Sequence, residues 1–429
     1  MSRLSRRALL AATGTALTGA LAGCSRFNPL SSTSSVDYDE SALADLPTDL
    51  PRIPPSTPVR PPTEQVASAR DRIRSLLNAA DLSRIPNEVV RRTLAREREY
   101  ARDALTQDDT SENRVKALSG LTHARSEAMF VNAGFAVFED SLTPADIETR
   151  RQRHRQDAEA FLADYSYDGP VDDPVGAFAE HAKIADWGQT GARIITADDH
   201  HEYENTALHA AELAQDVEWG RAYAADARRL HEHYKSTLDD AHDYEAHFAS
   251  VADTLVDDVA AYTDELDRET LTGRFDRDIK NTAAESLLRD LARLRWNAAQ
   301  TAVQRHDTDQ PVLVIAQAMR ALTADDAFAD ATDAVSNGAY GIPESVEPVV
   351  AERTAAVDAL RELLDSSPAV LARRLAQYVR SSIRNGDQHI DRGSVLSPGR
   401  YLYAEYATAT HYAAAAPAVI QRVSDALEA

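Results

Sequence analysis

Between Gly220 and Gly273 the chain runs without a glycine or a proline, and no proline occurs from residue 175 to residue 310. Turns between strands draw on these two residues, because glycine reaches positive φ and proline fixes φ. A stretch this long without either is hard to fold as repeated strand and turn. Glycine is scarce throughout, 16 of 429 residues, against a usual share of about 7 per cent. The expected fold class is all-α, an elongated multi-helix bundle.

Periodicity supports this. Tyr223, Ala227, Leu230, Tyr234, Thr237, Ala241, Tyr244, Phe248, Val251 and Leu255 fall at alternating intervals of four and three, the spacing of a heptad seam. Arg221 to Thr272 as one helix would extend roughly 78 Å at 1.5 Å per residue. Thr, Ala and Tyr make the seam weak enough to permit a break. Further helices are expected over 64–80, 87–106, 111–139, 144–165, 175–187 and 192–219, then 277–305, 312–336, 344–364, 368–385 and 398–427. The helical body is read as 64–429, with a sub-domain seam near 307–343 where "HDTDQP" and "NGAYGIP" interrupt the pattern.

Residues 24–63 have another character. Eight of the 18 prolines lie between Ser25 and Thr63, among many serines and few apolar residues, so the segment reads as an extended tether. Before it, residues 1–23 combine Arg3, Arg6 and Arg7, a short apolar run from Ala8, and small residues ahead of Cys24, the only cysteine. That is the layout of a signal peptide, and the run is too short and too diluted by Thr and Gly for a membrane span.

Arg6-Arg7 followed by Ala8-Leu9-Leu10 resembles the twin-arginine export signal, and Leu21-Ala22-Gly23-Cys24 resembles a lipobox. The resemblance implies export, cleavage before Cys24 and a lipid on its sulfur, and hence an outer-face, lipid-anchored location with the membrane as partner. With its one thiol so used, the chain has none for a disulfide or for cysteine catalysis.

The formal net charge is −23, from 46 basic and 69 acidic residues, and only four of the basic residues are lysine. This balance resembles that of haloarchaeal proteins. At 1 M salt the Debye length is about 3 Å, which screens the self-repulsion such a surface generates in dilute buffer. It argues against nucleic acid as a partner, because phosphates demand clustered Lys and Arg.

Seven of the 13 histidines fall between His200 and His247. Three have glutamate three positions on: His201 with Glu204, His209 with Glu212 and His242 with Glu245. On a helix each pair shares a face, so two such helices side by side would offer imidazoles and carboxylates to a transition metal. Acids are so dense here that three pairs are close to what chance spacing gives. "ETRRQRHRQD", Glu148 to Asp157, is a basic knot that suits an anion, or internal ion pairs of Glu148 with Arg151, Arg153 with Asp157 and Arg155 with Glu159. The sequence contains no nucleophile elbow, phosphate loop, dinucleotide fingerprint or His-Glu-x-x-His motif. The function expected is that of a non-enzymatic, tethered binding or scaffold protein with a surface protein as partner. The alternative is a metal-binding helical protein using 198–247.

Overall fold

The computed structural model describes residues 49–106, 114–197, 202–391 and 398–429. Thirteen helices and one pair of three-residue strands make up its regular structure, as the all-α expectation requires. No described helix is long and apolar enough to cross a membrane.

The first six helices are α1 (Thr63–Asn78), α2 (Glu88–Thr106), α3 (Arg114–Phe138), α4 (Pro144–Ala163), α5 (Pro174–Thr196) and α6 (Thr206–Ser236). Their ends are chemically marked. Thr143 and Asp146 form a capping box before α4, with Pro144 at its first position, and Asn205 accepts from two backbone amides at the start of α6; such caps satisfy donors the helix cannot. Ile73, Leu94, Leu118, Ala128, Ile184 and Leu230 are buried in one apolar cluster built from these helices. A buried ion pair pins them together: Arg125 of α3 meets Asp226 of α6, which also accepts from Gln65 of α1 at 3.3 Å.

Helices α5 and α6 cross at a glycine pair. A methyl on Gly191 would stand 2.7 Å from the Gly220 carbonyl oxygen, and one on Gly220 would stand 2.5 Å from Ile195 Cγ1. Only residues without Cβ permit this approach. The sequence expectation ended a helix at 187 because Gly188 and Gly191 read as breakers, whereas α5 continues through both.

The heptad stretch does break. Helix α6 ends at Ser236, and Ala241–Asp243 forms strand β2, antiparallel to β1 (Asp168–Pro170), with Gly169 opposite His242. The chain then re-enters helix as α7 (Glu245–Val259) and the short α8 (Arg268–Thr272). Tyr223, Ala227, Leu230 and Tyr234 lie on α6, and Phe248, Val251 and Leu255 on α7. Thr237 and Ala241 between them are exposed, so the seam has no core to follow there.

Behind β1 lies a buried aromatic and histidine knot. Tyr165 Oη donates to His181 Nδ1 at 2.7 Å, His181 Nε2 donates to the Asp168 carbonyl at 2.8 Å, and His231 Nε2 donates to the Ser166 carbonyl at 3.0 Å. The Tyr165 ring stacks on His231 with centroids 4.4 Å apart. Desolvation pulls the His181 pKa down to about 4, so the ring is neutral and its tautomer is set by the two partners.

The remaining helices are α9 (Ala283–His306), α10 (Pro311–Ser336), α11 (Glu347–Leu364), α12 (Ala369–Asp391) and α13 (Pro398–Glu428). With α7 and one face of α5 they form the second apolar cluster, including Phe178, Phe248, Leu287, Leu291, Ile315, Leu360, Val379 and Tyr412. Burying each such side chain contributes about 1.5–3 kcal/mol. Helices α9 to α12 all feed this cluster, so the interruptions near 307–343 are connections within it. The division between clusters falls at 237–244.

The expected tether is also shorter than 24–63. Residues 49–62 run extended along the body: Leu50 and Ile53 pack on the second cluster and Val59 on the first. Arg373 of α12 donates to the Pro55 carbonyl at 3.2 Å, the Val59 amide donates to Glu180 Oε2 of α5 at 3.1 Å, and Arg114 of α3 donates to the Pro61 carbonyl at 2.9 Å. Backbone groups without sheet partners find side-chain ones, which fixes the segment to both clusters.

Candidate anion-binding cleft

The basic knot lies on α4, and its inner face looks across a cleft to α6. Arg150, Arg153 and His154 of α4 line the cleft with Ile147, and Arg72 of α1, Met129 of α3, and Ala214, Val217 and Glu218 of α6 complete it. Counted out to its open mouth, the space is about 480 Å³.

Glu218, 2% exposed at its side chain, is held in two forks. Arg72 donates through Nε and Nη2 at 3.2 and 3.1 Å, and Arg221 donates through Nε and Nη2 at 2.9 and 2.5 Å. Burial pushes this carboxyl up, but Arg221 and Arg72 outweigh that and hold it below the usual carboxylate range. Both oxygens are occupied, so Glu218 is a structural anion and not a base awaiting a proton.

The knot forms two of its three expected ion pairs: Arg151 with Glu148 at 3.7 Å and Arg155 with Glu159 at 2.7 Å. The Arg153–Asp157 pair does not form. Asp157 turns to His154, 3.6 Å from Nδ1, and Arg153 borders the cleft. Desolvation, with Arg221 and Arg153 adding repulsion, lowers the His154 pKa. Near neutral pH the cleft therefore carries Arg150 and Arg153 over an apolar floor, beside an arginine-wrapped carboxylate. No hydroxyl or thiol lines it, so the arrangement holds an anion and offers no nucleophile to attack one.

The metal candidates fare differently. Arg6, Arg7, Cys24 and His201 lie outside the described residues. Glu204 precedes α6 in irregular chain, so the helical spacing assumed for it is absent. His209 and Glu212 do share a turn of α6, and the Glu212 carboxylate accepts from the Glu202 amide at 3.1 Å. His242 is on β2 and Glu245 opens α7, both exposed. The length of α6 keeps these two about 40 Å from His209 at 1.5 Å per residue. Among the described residues no three His, Cys, Asp or Glu side chains converge as a metal site requires.

Sequence reasoning found the knot but missed Arg72, Glu218 and Arg221. They come from helices some 60 to 80 residues away along the chain, and the packing of α1 and α6 on α4 brings them together.

Residues 64–240 match a family model described as Domain of unknown function (DUF8262), and residues 245–425 match one described as Domain of unknown function (DUF8264). No curated protein and no solved structure matches the chain. The cleft lies wholly within the first match, and the boundary between the two coincides with the 237–244 break.

Proposed function

We propose that this chain is a lipid-anchored, extracytoplasmic, non-enzymatic binding protein, held at the membrane through Cys24 and taking its ligand or surface partner in the cleft beneath Arg150 and Arg153. One observation carries the binding role. In a chain whose formal net charge is −23, four arginines gather at one cleft around a single carboxylate already neutralised by two of them. The signal-like segment with Arg6-Arg7 and Cys24 supports the anchored location, and the acidic surface suits concentrated salt.

Fractionation and capture on the native cell surface test both parts. Cys24→Ser should release the protein from the membrane fraction or leave it unprocessed, and Arg150→Gln with Arg153→Gln should lose whatever ligand or partner the wild type co-purifies. An unchanged membrane fraction and mass for Cys24→Ser would sink the anchor. Undiminished capture by the arginine variant would remove the cleft from the function.

A further inference from the structure

We infer that the cleft takes an amphiphilic acid: a carboxylate, phosphate or sulfate group held by Arg150 and Arg153, with a short apolar body laid on Ile147, Met129, Ala214 and Val217. The inference rests on the binding-protein reading and narrows it to a ligand class.

Three features of the cleft lead there. Arg150 and Arg153 stand three apart on α4, so their side chains rise from the same face, about 5–6 Å apart at Cβ. That spacing lets two guanidinium groups share one oxyanion. Neither makes an ion pair or hydrogen bond within the described structure, although acids outnumber bases 69 to 46. Arg72 and Arg221, by contrast, are consumed by Glu218. The wall therefore neither competes for the ligand's acid group nor adds a free negative charge.

The floor decides between a bare anion and an amphiphile. Two exposed guanidinium groups in molar salt see their field fall off within about 3 Å, and chloride competes for them. Charge alone would hold phosphate or sulfate poorly. Apolar burial is not weakened in this way, and each methylene laid on the floor adds about fourfold in affinity. The arginines then select for an acid, and the floor supplies the binding.

The test is titration calorimetry on the full chain in molar NaCl with acetate, butanoate, hexanoate and octanoate, then octyl phosphate and octyl sulfate, with inorganic phosphate and octyl glucoside as controls. Affinity should climb about fourfold per methylene until the floor is covered, and all octyl acids should bind. Inorganic phosphate and octyl glucoside should not. Arg150→Gln with Arg153→Gln should weaken every octyl acid at least tenfold while the melting temperature holds, because both side chains are exposed. Flotation with phosphatidylglycerol vesicles separates the two sources of such an acid. Co-flotation lost in the double variant assigns a lipid headgroup, and monomer binding without co-flotation assigns a free acid. Affinity independent of chain length, equal binding of octyl glucoside, or an unaffected double variant each overturns the inference. If no acid binds yet a surface partner is still captured through Arg150 and Arg153, the amphiphile is wrong and the binding-protein reading survives; if neither is seen, both fail.

Discussion

Glu180 and His181 are neighbours on α5, both buried, and their titrations oppose one another. Desolvation raises the Glu180 carboxyl from 4.5 to about 7, against the Val59 amide that favours its charge. The native protein thus keeps a proton that the unfolded chain releases above 4.5, and this group's contribution to stability falls as pH climbs from 4.5 through 7. His181 is depressed from 6.5 to about 4, so the unfolded chain takes up the proton first, and its contribution falls as pH drops from 6.5 toward 4. Across the shared window the two slopes cancel to a first approximation, and each alone is worth up to about 3 kcal/mol. Glu180→Gln leaves an acceptor for Val59 and removes one slope. Compared with wild type by denaturant titration, it should be near neutral at pH 4.5 and more stable by up to about 3 kcal/mol at pH 8. A difference between the two proteins that does not change with pH would show that Glu180 is not protonated in the fold. Neither residue is conspicuous in "AEHAKIAD", because the sequence does not reveal that Tyr165, His231 and the extended Val59 backbone meet there. Charge runs such as 148–157 were legible for the opposite reason, since their like-signed residues are consecutive.

Glycine explains both what the sequence disclosed about the helices and where it misled. Helix ends marked by caps or proline, such as Thr143-Pro144 and Gln310-Pro311, fall where the pattern places them. Gly188 and Gly191 have the same local appearance as a helix stop, but the α5–α6 crossing uses glycine for close approach. The 237–244 break has the converse problem: it contains neither glycine nor proline, and only pairing with β1 and the Tyr244 amide donating to the Tyr167 carbonyl at 3.1 Å hold it out of helix. Paired substitutions separate the two kinds of glycine. Gly220→Ala places a methyl 2.5 Å from Ile195 Cγ1 and 2.7 Å from the Gly191 carbonyl oxygen, and should destabilise by about 1–3 kcal/mol as overpacking does. Gly120 lies within α3, exposed, with nothing within 4 Å of an added Cβ, so Gly120→Ala should stabilise by about 0.5–1 kcal/mol through helix propensity. Thermal melts of both variants check this, and a neutral Gly220→Ala would mean that the helices cross less closely than described.

At the scale of the molecule, two family-sized segments meet along one helix. Helix α5 gives Val175, Phe178, Ala182 and Ala185 to the second cluster and Ile184 and Trp187 to the first, although it falls entirely within the first matched segment. The extended residues 49–62 reinforce this by touching both clusters. A domain boundary drawn at 241 from the sequence match therefore cuts through packing, not beside it. Separating there would strip Phe248 of Phe178, whose ring centroid is 6.4 Å away, and would leave the α7 face that meets α5 in water. The two clusters should consequently unfold together. Scanning calorimetry of the full chain in molar NaCl should give a single transition with calorimetric and van't Hoff enthalpies in agreement. A chain beginning at residue 241 should lose that cooperativity and expose apolar surface to a hydrophobic dye, even though it spans the whole second match. Two resolved transitions in the full chain, or a 241–429 fragment melting cooperatively at the parent's temperature, would mean that α5 is a removable contact and that the second segment is a domain in its own right.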